Sequence, residues 1–345
     1  MGNRNSPLQF IYDHLFSNIN LIKFCESIPT YAYCLVHFAV LDVFSFTGME
    51  MPFWNNIDWV LPLRTPFLNW FFELVTLAGY PLFLILFLCF GYFALGSKRF
   101  FHTAMLLMAA GLLNSWLKDF GQDQRPAAAY ALDGRVGESY GWPSGHTQIA
   151  VVLWGYLAYT LRANWAFWAA GLMICLQGFS RIYLGVHDPG DVASGLVFGV
   201  ACLATYIAVE QHQKSSTRLG ALSGLQIVGV LLTLHMVYGM SYPIHAGHEA
   251  PYWFMGAMCG WLVGRYARGH EEVSMPKMFT WRVLAATLMT GVSFVLLTAL
   301  SRLPGYLAED DPLIRYGCGV LFGIVITGLL PLMLAQATQV FDKRA

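Results

Sequence analysis

A chain of 345 residues that is 57% hydrophobic and 12% charged, with mean hydropathy +0.52, is too apolar for a soluble domain, where about a quarter of the residues are charged. That composition specifies a polytopic membrane protein. Twenty basic and twenty acidic residues give no net charge, which excludes a global field that would recruit nucleic acid.

Residues 8–24 place apolar side chains at helical spacing with polar ones between, which predicts an interfacial helix. No cleavable signal pattern is expected, because the first apolar stretch lacks a basic start and a small-residue cleavage site. Ten spans are then predicted, at roughly 31–47, 68–95, 100–117, 146–162, 165–181, 190–209, 221–239, 251–267, 281–300 and 316–335. Asp42 makes the first the weakest, and Pro81 predicts a kink or a break in the second. With the N-terminus cytoplasmic, thirteen of the twenty Lys and Arg fall on the cytoplasmic side, as the positive-inside rule favours. The seven scattered cysteines form no C-x-x-C pair and read as packing residues. Asp42, Glu73, His37 and His102 read as structural or interfacial.

This topology sends three polar segments to the outer face at similar depth. Lys118 and Arg125-Pro126 follow the third span, Pro143-Ser144-Gly145-His146 opens the fourth, and Ser180 to Asp191 joins the fifth and sixth. Taken singly, each has a plainer reading. Lys118 and Arg181 serve as interfacial anchors, His187 as a structural histidine and Asp191 as a helix cap. Pro143 and Gly145 mark a turn at which Ser144 or Thr147 accepts a backbone N–H.

Taken together they suit a phosphoryl group in transfer. Lys118, Arg125 and Arg181 supply cations, while Ser144 and Gly145 supply a hydroxyl and N–H groups near a helix start. His146 and His187 supply two imidazoles. Asp191, four residues after His187, can hold its ring and fix its tautomer. One histidine can attack phosphorus while the other protonates the leaving oxygen.

Lys118-x6-Arg125-Pro126, Pro143-Ser-Gly-His146 and Ser180-Arg181-x5-His187-x3-Asp191 resemble the three signatures of the type 2 phosphatidic acid phosphatase (PAP2) superfamily, complete and in order. The resemblance covers roughly 60–210. It implies an α-helical core shared with vanadium-dependent haloperoxidases. It implies His187 as nucleophile forming a phosphohistidine, Asp191 as its orienter, and His146 as acid and then base. Lys118, Arg125, Ser144, Gly145 and Arg181 would hold the phosphate. No metal and no other cofactor is implied.

The expected fold is all-α: a polytopic transmembrane helical bundle with a six-span PAP2-like catalytic core and about four extra C-terminal spans. Residues 1–50 are expected to form the interfacial helix and first span, 51–210 the catalytic core, and 211–345 the four-span extension. The expected activity is that of an integral membrane phosphatase acting on a lipid phosphate or diphosphate. The expected partners are a phosphorylated lipid substrate and membrane lipids, with no nucleic acid, and the oligomeric state stays open. The site would face periplasm, cell exterior or ER lumen, with a bacterial inner membrane favoured. Two rivals remain: a phosphotransferase with a sugar or lipid acceptor, and a catalytically silent lipid-binding or transport protein. Residues 127–142 read as a lid or as an ordinary loop, with Tyr130, Arg135, Glu138, Tyr140 and Trp142 as headgroup contacts in the first case. His235, His245, His248 and Glu249 match no metal pattern and read as interfacial polar residues, and Glu309, Asp310 and Asp311 as a solvated turn.

Overall fold

A computed structural model describes residues 54–137, 139–215, 250–269, 272–276, 278–307 and 312–342. The segments 8–24, 31–47 and 221–239 lie outside the described residues, as do His37, Asp42, Glu138, His235, His245, His248, Glu249 and residues 309–311. The described residues are helical, with no strand among them. The helices are α1 (Pro66–Leu77), α2 (Pro81–Ala94), α3 (Ser97–Gly121), α4 (Gly145–Leu161), α5 (Asn164–Tyr183) and α6 (Pro189–Ser215). They continue with α7 (Ala250–Ala267), α8 (Phe279–Leu307), α9 (Pro312–Ile324), a π turn at Val325–Leu329 and α10 (Leu330–Asp342).

Ser97–Gly121, Pro189–Gln211, Phe279–Pro304 and Leu313–Thr338 are long and apolar enough to cross a membrane. The chain is thus an integral membrane protein by helix length and composition. The α1–α2 pair passes the same test as one broken span, bent by 51°. The break falls where Pro81 predicted it. Pro81 opens α2, and Pro66 opens α1 behind Thr65, whose hydroxyl accepts the Leu68 N–H at 3.2 Å. Helices also stand at the expected spans 146–162, 165–181 and 251–267, but α4 has only 17 residues, and α5 and α7 carry internal polar groups. Up to five of the ten expected spans thus meet the test among the described residues, and the count of ten is not confirmed.

α4 packs against α3, α5 and α6, and α1 lies on α5. An apolar cluster runs from Tyr92, Phe101 and Leu153 to Trp261, Phe322 and Ile326, so α7 and α9 share a core with α2, α3 and α4. α7 and α9 make the tightest pair. A Cβ at Gly256 would lie 2.1 Å from the Tyr316 carbonyl oxygen, and one at Gly260 2.0 Å from that of Val320. Glycines spaced four apart let two backbones approach this closely. The π turn adds one residue between Gly323 and Gly328, which keeps Gly328 facing Gly264.

Candidate active site

The three motif segments meet at the ends of α3, α4, α5 and α6. Gly185 terminates α5 in the left-handed region (φ 71°), where a side chain would also strike the Tyr130 carbonyl at 2.2 Å. The turn directs the Val186 and His187 N–H groups to the Arg181 carbonyl, at 3.2 and 3.3 Å. His187 is thereby set beside Arg181 and just before α6.

Asp188 begins α6. Its Oδ1 accepts the Asp191 N–H at 2.8 Å, and Asp191 Oδ2 reaches back to the Asp188 N–H at 3.4 Å, a reciprocal capping arrangement. The expected Asp191 cap is real, yet the same carboxylate oxygen also takes His187 Nδ1 at 2.8 Å. Both side chains are buried. Arg125 Nη1 lies 3.1 Å from His187 Nε2. Arginine can only donate, so Nε2 accepts and Nδ1 carries the proton toward Asp191. This tautomer places the lone pair on the nitrogen away from Asp191, as a nucleophile requires. Burial, then the charges of Arg125 and Lys118, hold the His187 pKa well below its ordinary value.

Arg125 is fixed by the Ser139 carbonyl and hydroxyl and the Val186 carbonyl, at 2.7 to 2.8 Å. Burial, then Arg181, lowers its pKa to about 10, which leaves it charged at neutral pH. Lys118 donates to the carbonyls of Tyr140 and Gly141, the latter at 2.9 Å. It holds the end of the loop, and its charge acts on Asp191 and His187.

Ser144 precedes α4, but its side chain caps nothing, contrary to the plainer reading of the turn. Its hydroxyl accepts from Thr147 at 3.0 Å, and its N–H donates to the Asp191 carbonyl at 3.0 Å, joining the starts of α4 and α6. Gly145 and His146 form the first turn of α4. The bend between α1 and α2 accommodates the His146 ring. A Cβ at Gly79 would lie 2.3 Å from His146 Cδ2, and the Tyr80 ring meets His146 edge-on at 4.6 Å. Arg181 donates through Nη1 to Asp133 Oδ2 at 2.9 Å and to Thr76 Oγ1 at 2.5 Å.

His146 Nε2, Arg181 Nε and Asp191 Oδ1 are buried with no hydrogen-bond partner among the described residues. Left unmet, each such group costs about 1–3 kcal/mol, and water or a ligand atom would satisfy it. Asp123, Asp188 and Asp191 bring ligand atoms within 4.8 Å of one another and are the candidate metal group among the described residues. Asp191 and Asp188 are already engaged with His187 and with the α6 cap, and Asp123 is exposed.

All eight expected residues thus belong to one connected cluster. Sequence reasoning missed Asp133, Tyr80, Thr76 and Asn114. Asn114 Nδ2 donates to the Pro143 carbonyl at 3.2 Å and to Gln148 Oε1 at 2.9 Å, so it ties the turn before α4 to α3. Its signal was a polar amide inside an apolar run. Of the loop side chains expected at a headgroup, Trp142 instead donates to Ser194 at 2.8 Å and packs on Phe198. His102, expected to be structural, bonds the Tyr206 hydroxyl at 2.7 Å.

A family model described as PAP2 superfamily matches residues 99–215. Phosphatidylglycerophosphatase B of Bacillus subtilis is 30% identical over 155 residues, 40% of this chain and 73% of that protein. Lipid phosphate phosphatase delta of Arabidopsis thaliana is 28% identical over 156 residues, 41% of this chain and 37% of that protein, so the match spans little more than a third of its length. Lipid A 4'-phosphatase of Bacteroides thetaiotaomicron is 28% identical over 102 residues, 27% of this chain and 45% of that protein. Among solved structures, the transmembrane PAP2-type phosphatidylglycerolphosphate phosphatase of Bacillus subtilis is 24% identical with a TM-score of 0.46, covering 52% of this chain and 96% of that one. The matched stretch contains every residue of the cluster from Lys118 to Asp191, and the Bacillus relative is covered over nearly three quarters of its length: this chain belongs to the PAP2 superfamily.

Proposed function

We propose that this chain is a membrane phosphatase that hydrolyses a lipid phosphate or diphosphate through a phosphohistidine at the extracytoplasmic or luminal face. The observation that carries the reading is the Arg125–His187–Asp191 chain of contacts, whose hydrogen bonds put the proton on His187 Nδ1 and the lone pair on Nε2, where Arg125 holds it until substrate arrives. The names of the relatives, all phosphatases of lipids, agree with it.

In the first half-reaction Nε2 attacks phosphorus and the bond to the leaving oxygen breaks. His146, protonated when the negative charge of the bound phosphate lies beside it, gives that oxygen its proton. Arg125 turns from Nε2 to a phosphate oxygen. Arg181, Lys118, Ser144 and the N–H groups at the start of α4 share the remaining charge. In the second half-reaction neutral His146 takes a proton from water, whose oxygen attacks phosphorus. The P–N bond breaks, and phosphate leaves with His187 restored. Cationic side chains occupy the role that a divalent ion fills in other phosphoryl-transfer sites, so turnover is metal-independent.

The test is phosphate release by purified protein from a radiolabelled lipid phosphate and a lipid diphosphate, with and without an added lipid or sugar acceptor. Free phosphate without acceptor is expected, and its loss in His187→Ala at unchanged folding. Label appearing only on acceptor would make the protein a transferase. Unchanged release by His187→Ala would remove the assigned nucleophile.

A further inference from the structure

Asp133 belongs to none of the motif segments, yet it is 1% exposed and joins three parts of the site. Its Oδ2 accepts from Arg181 Nη1 at 2.9 Å and from the Tyr80 hydroxyl at 2.6 Å. Its Oδ1 accepts from Arg135 Nε at 2.7 Å and from the Arg135 N–H at 3.2 Å. Tyr80 is the ring that meets His146 edge-on.

The loop delivers Asp133 through anchored backbone. Leu132 N–H donates to the Leu184 carbonyl at 2.8 Å, and Arg64 Nη2 grips the carbonyls of Tyr130 and Tyr183 at 2.8 and 2.9 Å. The carboxylate is thus as firmly placed as the helix end it faces.

Arg181 uses Nη1 on Asp133 and Thr76, while its Nε is buried with no hydrogen-bond partner among the described residues, as is His146 Nε2. A guanidinium clamped at one nitrogen by a fixed carboxylate has its plane set before substrate arrives. Asp133 cannot itself touch phosphate, since two anions would repel. Burial opposes its ionisation, but the hydrogen bonds from Arg135, Tyr80 and Arg181 outweigh burial and hold its pKa well below the usual carboxylate range.

We propose that Asp133 is a positioning residue of the phosphoryl site: it orients Arg181 toward the phosphate and, through Tyr80, sets the ring of His146. The proposal rests on the phosphatase reading for its kinetic arm, and on vanadate binding alone for its other arm. A purely structural Asp133 would change stability without singling out Arg181.

The full chain is compared with Asp133→Asn, Asp133→Glu, Arg181→Lys, Ser144→Ala and the double variants of Asp133→Asn with each of the last two. Two readouts are taken: kcat and KM on a short-chain phosphatidic acid in micelles, and the vanadate-induced rise in unfolding temperature. Asp133→Asn is expected to lower kcat/KM about 10- to 100-fold and to shrink the vanadate response, as loss of a charge-assisted contact implies. Added to Arg181→Lys it should cost less than about threefold more, whereas with Ser144→Ala the losses should multiply. Asp133→Glu, which keeps the charge, should lie between, and it carries the vanadate comparison if Asp133→Asn does not fold. Wild-type kinetics and vanadate response in Asp133→Asn, full multiplication with Arg181→Lys, or a wild-type vanadate response in Asp133→Glu when Asp133→Asn fails to fold would each overturn the proposal. If the wild type answers vanadate but releases no phosphate from lipid phosphates, the phosphatase reading fails, and the positioning claim is judged on the vanadate arm.

Discussion

The site end of the bundle and the α7–α9 pair hold helices together by opposite means. Around the site, polar groups bridge the elements: the Asn114 side chain of α3 to Gln148 of α4, Arg181 of α5 to Asp133 of the loop, and the Ser144 N–H to the Asp191 carbonyl. Between α7 and α9 there is almost no side chain at all at the glycine contacts, and backbone meets backbone. Polar bridging leaves room for chemistry, and costs stability wherever a partner is missing. Glycine contact leaves no room, so that seam can support the bundle but cannot bind anything within it.

The contrast can be broken most forcefully at Gly260. Gly260→Leu drives a side chain into the Val320 carbonyl, 2.0 Å from where its Cβ would stand, and should cost about 3 kcal/mol or more in thermal unfolding. Phosphate release per folded molecule should stay within about twofold of wild type. A folded variant that loses activity tenfold would show that the seam sets the site after all.

Asn114→Ala probes the polar side. It leaves Gln148 Oε1 and the Pro143 carbonyl without the Asn114 donor, at a cost of about 1–3 kcal/mol. It should also slow turnover, because the turn carrying Ser144 to His146 is no longer tied to α3. Stability loss with unchanged kcat would confine Asn114 to packing.

The smallest effect concerns pH. As the proposed nucleophile His187 must be neutral, and burial with Arg125 lowers its pKa from about 6.5. The nucleophile therefore stays competent below that pH, and the acid limb of kcat/KM should fall at a lower value. Removing the positive charge with Arg125→Gln should move that limb upward, toward the ordinary histidine range, in whatever activity remains. A limb that stays in place would mean that another group titrates. Asp133 follows the depressed-carboxylate case. Its contribution to stability is present above the ordinary carboxylate range and lost only as pH falls through its lowered pKa.

How much of this was legible in the chain differs between the two ends. Lys118, Arg125, the Pro143–His146 turn, Arg181, His187 and Asp191 lie at spacings that local structure imposes, such as the four-residue step from His187 to Asp191 at a helix start. Asp133 shows no such relation to Arg181, 48 residues away, because only the fold of the loop joins them. Asp188 was readable as half of a capping pair with Asp191, and that pattern was overlooked. Gly256, Gly260 and Gly264 repeat every four residues and announce a close contact. Their partners Gly319, Gly323 and Gly328 break that rhythm, and nothing in the composition foretells the π turn that restores it. The count of spans was least legible, since α4 and α5 are short or polar for crossing helices.

The central claim is that His187 carries the phosphoryl group between lipid and water. Rapid mixing of purified protein with labelled lipid phosphate, quenched in alkali to preserve a phosphorus–nitrogen bond, tests it directly. The account predicts transient label on the peptide containing His187, absent in His187→Ala. Burst release of phosphate with no protein-bound label, or label on another residue, would contradict it.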